Sequence, residues 1–121
     1  MRPYHEYTNY MLREYFSHEQ DFARNLDLES ESQFLSRIIR SVSEIARTKA
    51  EEMNLTVCAI IVRTLSVDQV GILREVFGDN DQLNVGQAVK DCAGKLGLKE
   101  KIVWDTVRSV SQEIARTRGL I

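Results

Sequence analysis

The sequence predicts an all-helical fold, a small domain of about five to six helices, and three observations carry that class. Proline occurs once, at Pro3, and the 6 glycines mostly fall at the ends of apolar stretches, so few positions require helix-breaking backbone geometry. Apolar residues recur at three- and four-residue steps along most of the chain, the spacing of one helix face. Ser30 before Gln33, Ser66 before Gln69 and Asn84 before Gln87 each match the capping box with which a helix opens.

With 121 residues, 43% of them apolar, the chain can bury one core but hardly two. Residues 1–64 and 65–121 are therefore expected to be two parts of one compact unit. The longest apolar run, Val57 to Val62, falls far short of the roughly 20 residues of a membrane span, and no charged-then-apolar leader opens the chain. A soluble, cytoplasmic protein is expected. Cys58 and Cys92 are isolated within apolar patterns and have no Cys or His at metal-ligand spacing, so two reduced core thiols are expected.

In chain order, "YHEYTNYMLREYF" puts Tyr4, Tyr7, Met11 and Tyr15 on one face, with Tyr10, Leu12 and Phe16 beside them, which predicts a helix over about residues 3–17. Such a ring stripe is read as core with its hydroxyls at the rim, and His5 and His18 as facing solvent. Residues 17–32 turn acidic and weakly periodic and read as a connector. Ser30 and Gln33 then open a long helix in which Phe34, Leu35, Ile38, Val42, Ile45 and Ala46 hold one face, continuing to about Met53.

"LTVCAIIVRT", residues 55–64, has the β-branched composition of a buried strand, but a lone strand leaves its backbone groups without partners, so a short buried helix is expected. Ser66 and Gln69 open a helix whose Val70, Leu73, Val76 and Phe77 share a face, with Gly78 as its left-handed stop. "GDNDQ" is the following loop. Asn84 and Gln87 open another helix, with Val85, Ala88, Val89, Cys92 and Leu96 along one side. The near-copies "RSVSEIARTK" and "RSVSQEIARTR" differ by one inserted glutamine, which turns later residues by about 100°, and do not form a repeat architecture.

The stretch "CAGKLGLKEKIVWDTVRSVSQEIART", from Cys92 to Thr117, carries the functional reading. Two helices crossing after a short turn need a small side chain at their contact, supplied by Ala93, and a residue tolerant of positive φ at the turn, Gly97. Leu96 and Leu98 are expected to anchor the turn in the core. Val103, Val107, Val110 and Ile114 form one buried stripe, which makes the domain end in a helix-turn-helix. The opposite face presents Lys99, Lys101, Trp104, Asp105, Arg108 and Gln112 as candidate DNA-binding residues. Arg108 suits guanine, Gln112 adenine and Asp105 the cytosine amino group, while Lys99 and Lys101 suit phosphates. Trp104 either touches a thymine methyl or covers the core edge. Residues 1–89 carry 9 basic and 14 acidic side chains, whereas residues 90–121 carry 7 and 4, so the cationic end coincides with this motif.

Residues 65 to 121 resemble region four of sigma-70 factors in their order of scaffold helix, loop and terminal helix-turn-helix. The "LGL" turn before a long helix ending in "GLI" is similar to phage late-gene transcription regulators of the RinA and ArpU type. The resemblance implies a phage or prophage DNA-binding transcriptional regulator without a cofactor, its partners double-stranded DNA, a possible RNA polymerase subunit and a second copy in a homodimer. Lys99, Lys101, Trp104, Asp105 and Arg108 occupy the DNA-reading offsets it implies. The chain departs from that pattern at Thr106, where an apolar residue is usual, and at Glu100 and Asp105, which bring negative charge to the face.

The alternative is a helical protein-protein interaction module without direct DNA binding. An enzyme is not expected: the sequence holds no serine-histidine-acid or cysteine-histidine grouping, phosphate loop or metal-spaced carboxylate cluster.

Overall fold

The computed structural model describes residues 4–22, 30–78 and 84–121. The described chain is all-helical and without strands. In order it runs α1 (His5–Ser17), α2 (Glu19–Phe22), α3 (Glu31–Ile45), α4 (Lys49–Arg63), α5 (Val67–Leu73), which widens into a π turn over Arg74–Gly78, α6 (Val85–Leu96) and α7 (Glu100–Arg118). Among the described residues, no helix is long and apolar enough to cross a membrane. Residues 1–3, 23–29 of the expected connector and 79–82 of the expected loop lie outside the described residues.

Two of the three expected capping boxes close fully. The Ser30 hydroxyl accepts the Gln33 N–H at 3.2 Å while Gln33 Oε1 accepts the Ser30 N–H at 3.0 Å, and Ser66 and Gln69 do the same at 3.1 and 3.0 Å. At Asn84 only half forms: its Oδ1 accepts the Gln87 N–H at 3.1 Å, but Gln87 Nε2 turns forward to Asp91 Oδ1 at 3.0 Å.

The helix expected to run to Met53 instead ends at Ile45. Thr48 Oγ1 accepts the Glu51 N–H and Glu51 Oε1 accepts the Arg47 N–H, both at 3.1 Å, so a new helix starts at Lys49. Of residues 55–64, expected as a separate short helix, 55–63 are instead the later turns of this α4 and Thr64 is its C-cap. The connector also differs, since α2 lies within it and Phe22 is buried with its ring stacked on Tyr15 at 5.1 Å. Gly78 is not a left-handed stop, as the described positive-φ glycines are Gly97 and Gly119. A Cβ at Gly78 would lie 3.2 Å from Phe16 Cβ, so the backbone passes close to α1 there and a side chain would crowd it.

The core is one continuous cluster that draws on both sides of the 64/65 boundary. α4 lies at its centre, packed against α1, α3 and α7, and α1 also packs on α7 and the π turn. On α1 the buried face is Thr8, Met11, Leu12, Tyr15 and Phe16, while Tyr7 and Tyr10 remain exposed. Cys58 and Cys92 are buried free thiols, as expected from their apolar surroundings. Burial pushes the Cys58 thiol up to about 12 and raises that of Cys92 as well.

Replacing Thr48 by alanine removes the α4 cap and is expected to lower stability by about 1 kcal/mol in urea denaturation. An unchanged midpoint would contradict the break at 46–48. A thiol-reactive dye at neutral pH is expected to label neither cysteine until the chain unfolds, because both sulfurs are buried and protonated.

Candidate functional site

The candidate face is built by α6, the turn 97–99 and α7. Gly97 adopts φ 69°, and the Ala93 carbonyl accepts from the Gly97 N–H, the bond of an αL cap, and, at 2.9 Å, from the Leu98 N–H, the longer bond of a Schellman turn. Ala93 is buried in the core cluster and Leu98 is partly buried against it. Leu96 differs from expectation: it is 42% exposed, and the buried face of α6 is Ala88, Val89, Cys92 and Ala93.

Val103, Val107, Val110 and Ile114 are all buried, and the buried ridge also takes in Ser111 and Ala115. The periodicity of valines and isoleucine did not mark Ser111, yet its hydroxyl meets that of Thr8 on α1 at 2.8 Å. At the far end of α7, Arg118 Nε donates to Asn54 Oδ1 at 2.9 Å, and Asn54 Nδ2 donates to Tyr7 Oη at 2.8 Å. Apolar packing and two polar ties therefore set the rotation of α7.

Opposite this ridge, Lys99, Lys101, Asp105, Arg108 and Gln112 are exposed, and Trp104 is half-buried against the core. The six candidate residues share one side of α7 and its N-terminal turn, but their charges are not independent. Lys101 Nζ lies 2.9 Å from Asp105 Oδ2, and Arg108 Nη1 lies 3.6 Å from Asp105 Oδ1. The Arg108 guanidinium also sits over the Trp104 ring, 5.3 Å from its centroid, so Trp104 both covers the core edge and supports the cation.

These ion pairs are solvent-exposed, a class worth about 0–1 kcal/mol each, so an incoming anion can compete for either cation. Lys99, the N-cap of α7, makes no side-chain cap bond, unlike Ser30, Thr48, Ser66 and Asn84 at their helices. Thr106, the departure from the resembled pattern, donates its hydroxyl back to the Ile102 carbonyl at 3.1 Å and so hides its polarity within the helix.

Sequence reasoning missed two neighbours of this face. Lys90 on α6 lines a shallow groove with Gln87, Glu100 and Trp104, and its only signal was the cationic count of the C-terminal quarter. A cleft of about 260 Å³ between α1 and α7 is lined by His5, Asn9, Trp104, Arg108 and Ser111, and the Oδ1 of Asn9 is buried without a hydrogen-bond partner. No sequence pattern marks Asn9, because the cleft exists only once α1 and α7 pack. Among the described residues, no group of three or more His, Cys, Asp or Glu side chains is gathered to hold a metal.

Gly97 and Gly94 give a paired test of the turn. A Cβ would meet nothing within 4 Å at either, but only Gly97 has positive φ. Gly97→Ala is expected to destabilise by about 1–2 kcal/mol through backbone strain, and helical Gly94→Ala to stabilise by roughly 0.5–1 kcal/mol, both read from urea midpoints. Comparison of the chain with protein-family models, curated proteins and solved structures finds no match.

Proposed function

We propose that the chain is a sequence-specific DNA-binding transcriptional regulator of the phage or prophage kind, with α6 and α7 as a helix-turn-helix and α7 entering the major groove from about Lys99. The observation that carries this reading is the division of α7 into a fully buried aliphatic ridge and an exposed polar one beginning at a tight left-handed turn. A helix so divided can offer its N-terminal turns to base edges while its other side stays in the domain.

Within that reading the residues take separate roles. Lys99, Lys101 and the first-turn amides of α7, which no side chain caps, meet phosphates. Arg108, oriented by Trp104, reads guanine, and Asp105 accepts from a cytosine amino group. Gln112 stands about 18 Å along α7 from its start, where a straight helix leaves the curved groove, so it meets adenine only at the margin of the site. With few cations a single copy binds weakly, and two copies on two half-sites are expected. Residues 1–64 then supply the contact between copies or with an RNA polymerase subunit, and no cofactor takes part.

One observation favours the second reading, a protein-interaction module. Asp105 engages both Lys101 and Arg108, which lowers the net charge of the stripe, and Leu96 and Ile102 leave apolar surface beside the turn.

Selection of duplexes from a random pool at moderate salt is expected to enrich one motif, and binding to that motif to weaken steeply with added salt through counterion release. Arg108→Ala is expected to cost about 1–3 kcal/mol and to relax discrimination at one base pair, whereas Lys99→Ala weakens all sequences alike. No enriched motif, or retention indifferent to salt, would move the conclusion to the interaction module.

A further inference from the structure

Where α1 and α4 meet α7, the buried polar side chains are engaged: Thr8 and Ser111 bring their hydroxyls together at 2.8 Å, and the Asn54 amide serves both Tyr7 and Arg118. Asn9 departs from this pattern. It follows Thr8 on α1, its Oδ1 is buried, and among the described residues no donor reaches that atom. A buried acceptor without a donor costs the desolvation of that group, so its presence calls for a reason. His5 and Asn9, four apart, share one face of α1, and Trp104, Val107, Arg108 and Ser111 follow at steps of three and four on α7. Together with Val85 of α6 these two faces line the cleft of about 260 Å³. That size is near the lower end for ligand pockets, which run from roughly 300 to 1,000 Å³.

We infer that this cleft binds a small planar heterocycle whose edge carries a ring N–H beside a carbonyl, the lactam edge of a free nucleobase. The chemistry of the walls selects that class. Val85, Trp104 and Val107 are apolar and suit the flat faces of a ring. Water suits them poorly, since a buried water takes about 2–4 polar partners. Of the polar groups, Ser111 is committed to Thr8, and Arg108 to Asp105 and the Trp104 ring. The Asn9 carboxamide supplies the recognition: an acceptor and a donor side by side in one plane, the complement of an N–H beside a carbonyl. Its last torsion is broad and no hydrogen bond holds Oδ1, so a turn of the amide presents that pair to the cleft. Arg108 offers a donor to a second carbonyl, because its contact with Asp105 is 3.6 Å long and lies in solvent. The volume admits one or two fused rings and no strand of nucleotides. Trp104 and Arg108 also belong to the face assigned to DNA, but binding of a free base is measured without a duplex and stands or falls apart from that reading.

Trp104 is the single tryptophan of the chain, so its emission reports on the cleft directly. The full chain is titrated with uracil, hypoxanthine and xanthine, each beside its counterpart methylated on the ring nitrogens, with isothermal calorimetry as a second reading. At least one unmethylated base is expected to give a saturable one-to-one change. Its methylated counterpart, which has no N–H to give to Oδ1, is expected to bind about tenfold or more weaker. Asn9→Leu, close in volume and without polar atoms, is expected to weaken the same base to a similar degree. It is also expected to raise the urea midpoint of the free protein, because an unpaired acceptor has been removed. No saturable response to any of the three bases overturns the inference, as does equal binding of the methylated forms. An Asn9→Leu chain that keeps the circular dichroism and the base affinity of the parent overturns it too. The comparison of methylated and unmethylated bases decides the matter even where Asn9→Leu fails to fold. Selective binding of a base by a protein that enriches no duplex motif would sustain this site while ending the DNA reading.

Discussion

The burial of α4 is the constraint on which the rest of the structure depends. Its residues 55–62 are apolar except for Thr56, and no arrangement of the chain could leave such a helix at the edge without exposing several aliphatic side chains. Placing it centrally requires three neighbours, and α1, α3 and α7 each have one apolar ridge to give. Each neighbour therefore has one acceptable rotation. For α7 that rotation turns Val107, Val110 and Ile114 inward, so the outward position of Lys101, Asp105 and Arg108 follows from what α4 needs.

An apolar ridge fixes rotation better than height, because aliphatic contacts can slide by a turn and still be apolar. The polar ties supply the height. Thr8 gives its own proton to the His5 carbonyl at 3.1 Å, which leaves Ser111 to donate across the α1–α7 contact. Asn54, buried on α4, has its amide engaged by both Tyr7 and Arg118. Shifting α7 by one turn would strand these groups, and each buried unpaired group costs roughly 1–3 kcal/mol. The helix thus reaches its turn at a defined distance from the rest of the domain.

Signals complete within four or five residues were legible in the sequence. The boxes at Ser30 and Ser66, the left-handed turn at Gly97 and the inward stripe of α7 all depend on neighbours along one helix. The errors arose where two signals competed or where the cause lay elsewhere in the fold. "EIART" occurs twice, and in α7 it stays helical, whereas at Glu44–Thr48 the chain leaves the helix. The difference is Glu51, which reaches back to Arg47 and lets Thr48 cap a new helix; the position three after Thr117 is Leu120, which has no carboxylate to do the same. Gly78 carried the usual mark of a helix end, but what the fold places beside it is Phe16, 62 positions earlier. In the candidate site, residue identities and exposure were legible. The Lys101–Asp105 and Asp105–Arg108 pairs also follow from four- and three-residue spacing, though a list of separate base contacts hides them. Ser111 and Asn9 were not legible, because only the packing of α1 on α7 gives them significance.

An aspartate at the centre of the α7 stripe opposes the approach of a polyanion, yet on the DNA-binding proposal its position would give it a use that a neutral residue lacks. In the free protein Asp105 holds Lys101 and Arg108 in one line, at little net energy because all three are in water. On the proposed reading, a phosphate draws Lys101 away, while Arg108 keeps its orientation from the Trp104 ring. The carboxylate is then left inside a dehydrated contact, where an unpartnered charge is far more costly than at a free surface. A base pair that places an amino group there relieves that cost, and one that offers only acceptors does not. On that reading the acid weakens attraction to every duplex and penalises most of them further, which would convert a general affinity of Lys99 and Lys101 for phosphate into preference for particular sequences. A face of lysines and arginines alone would bind more tightly and distinguish less.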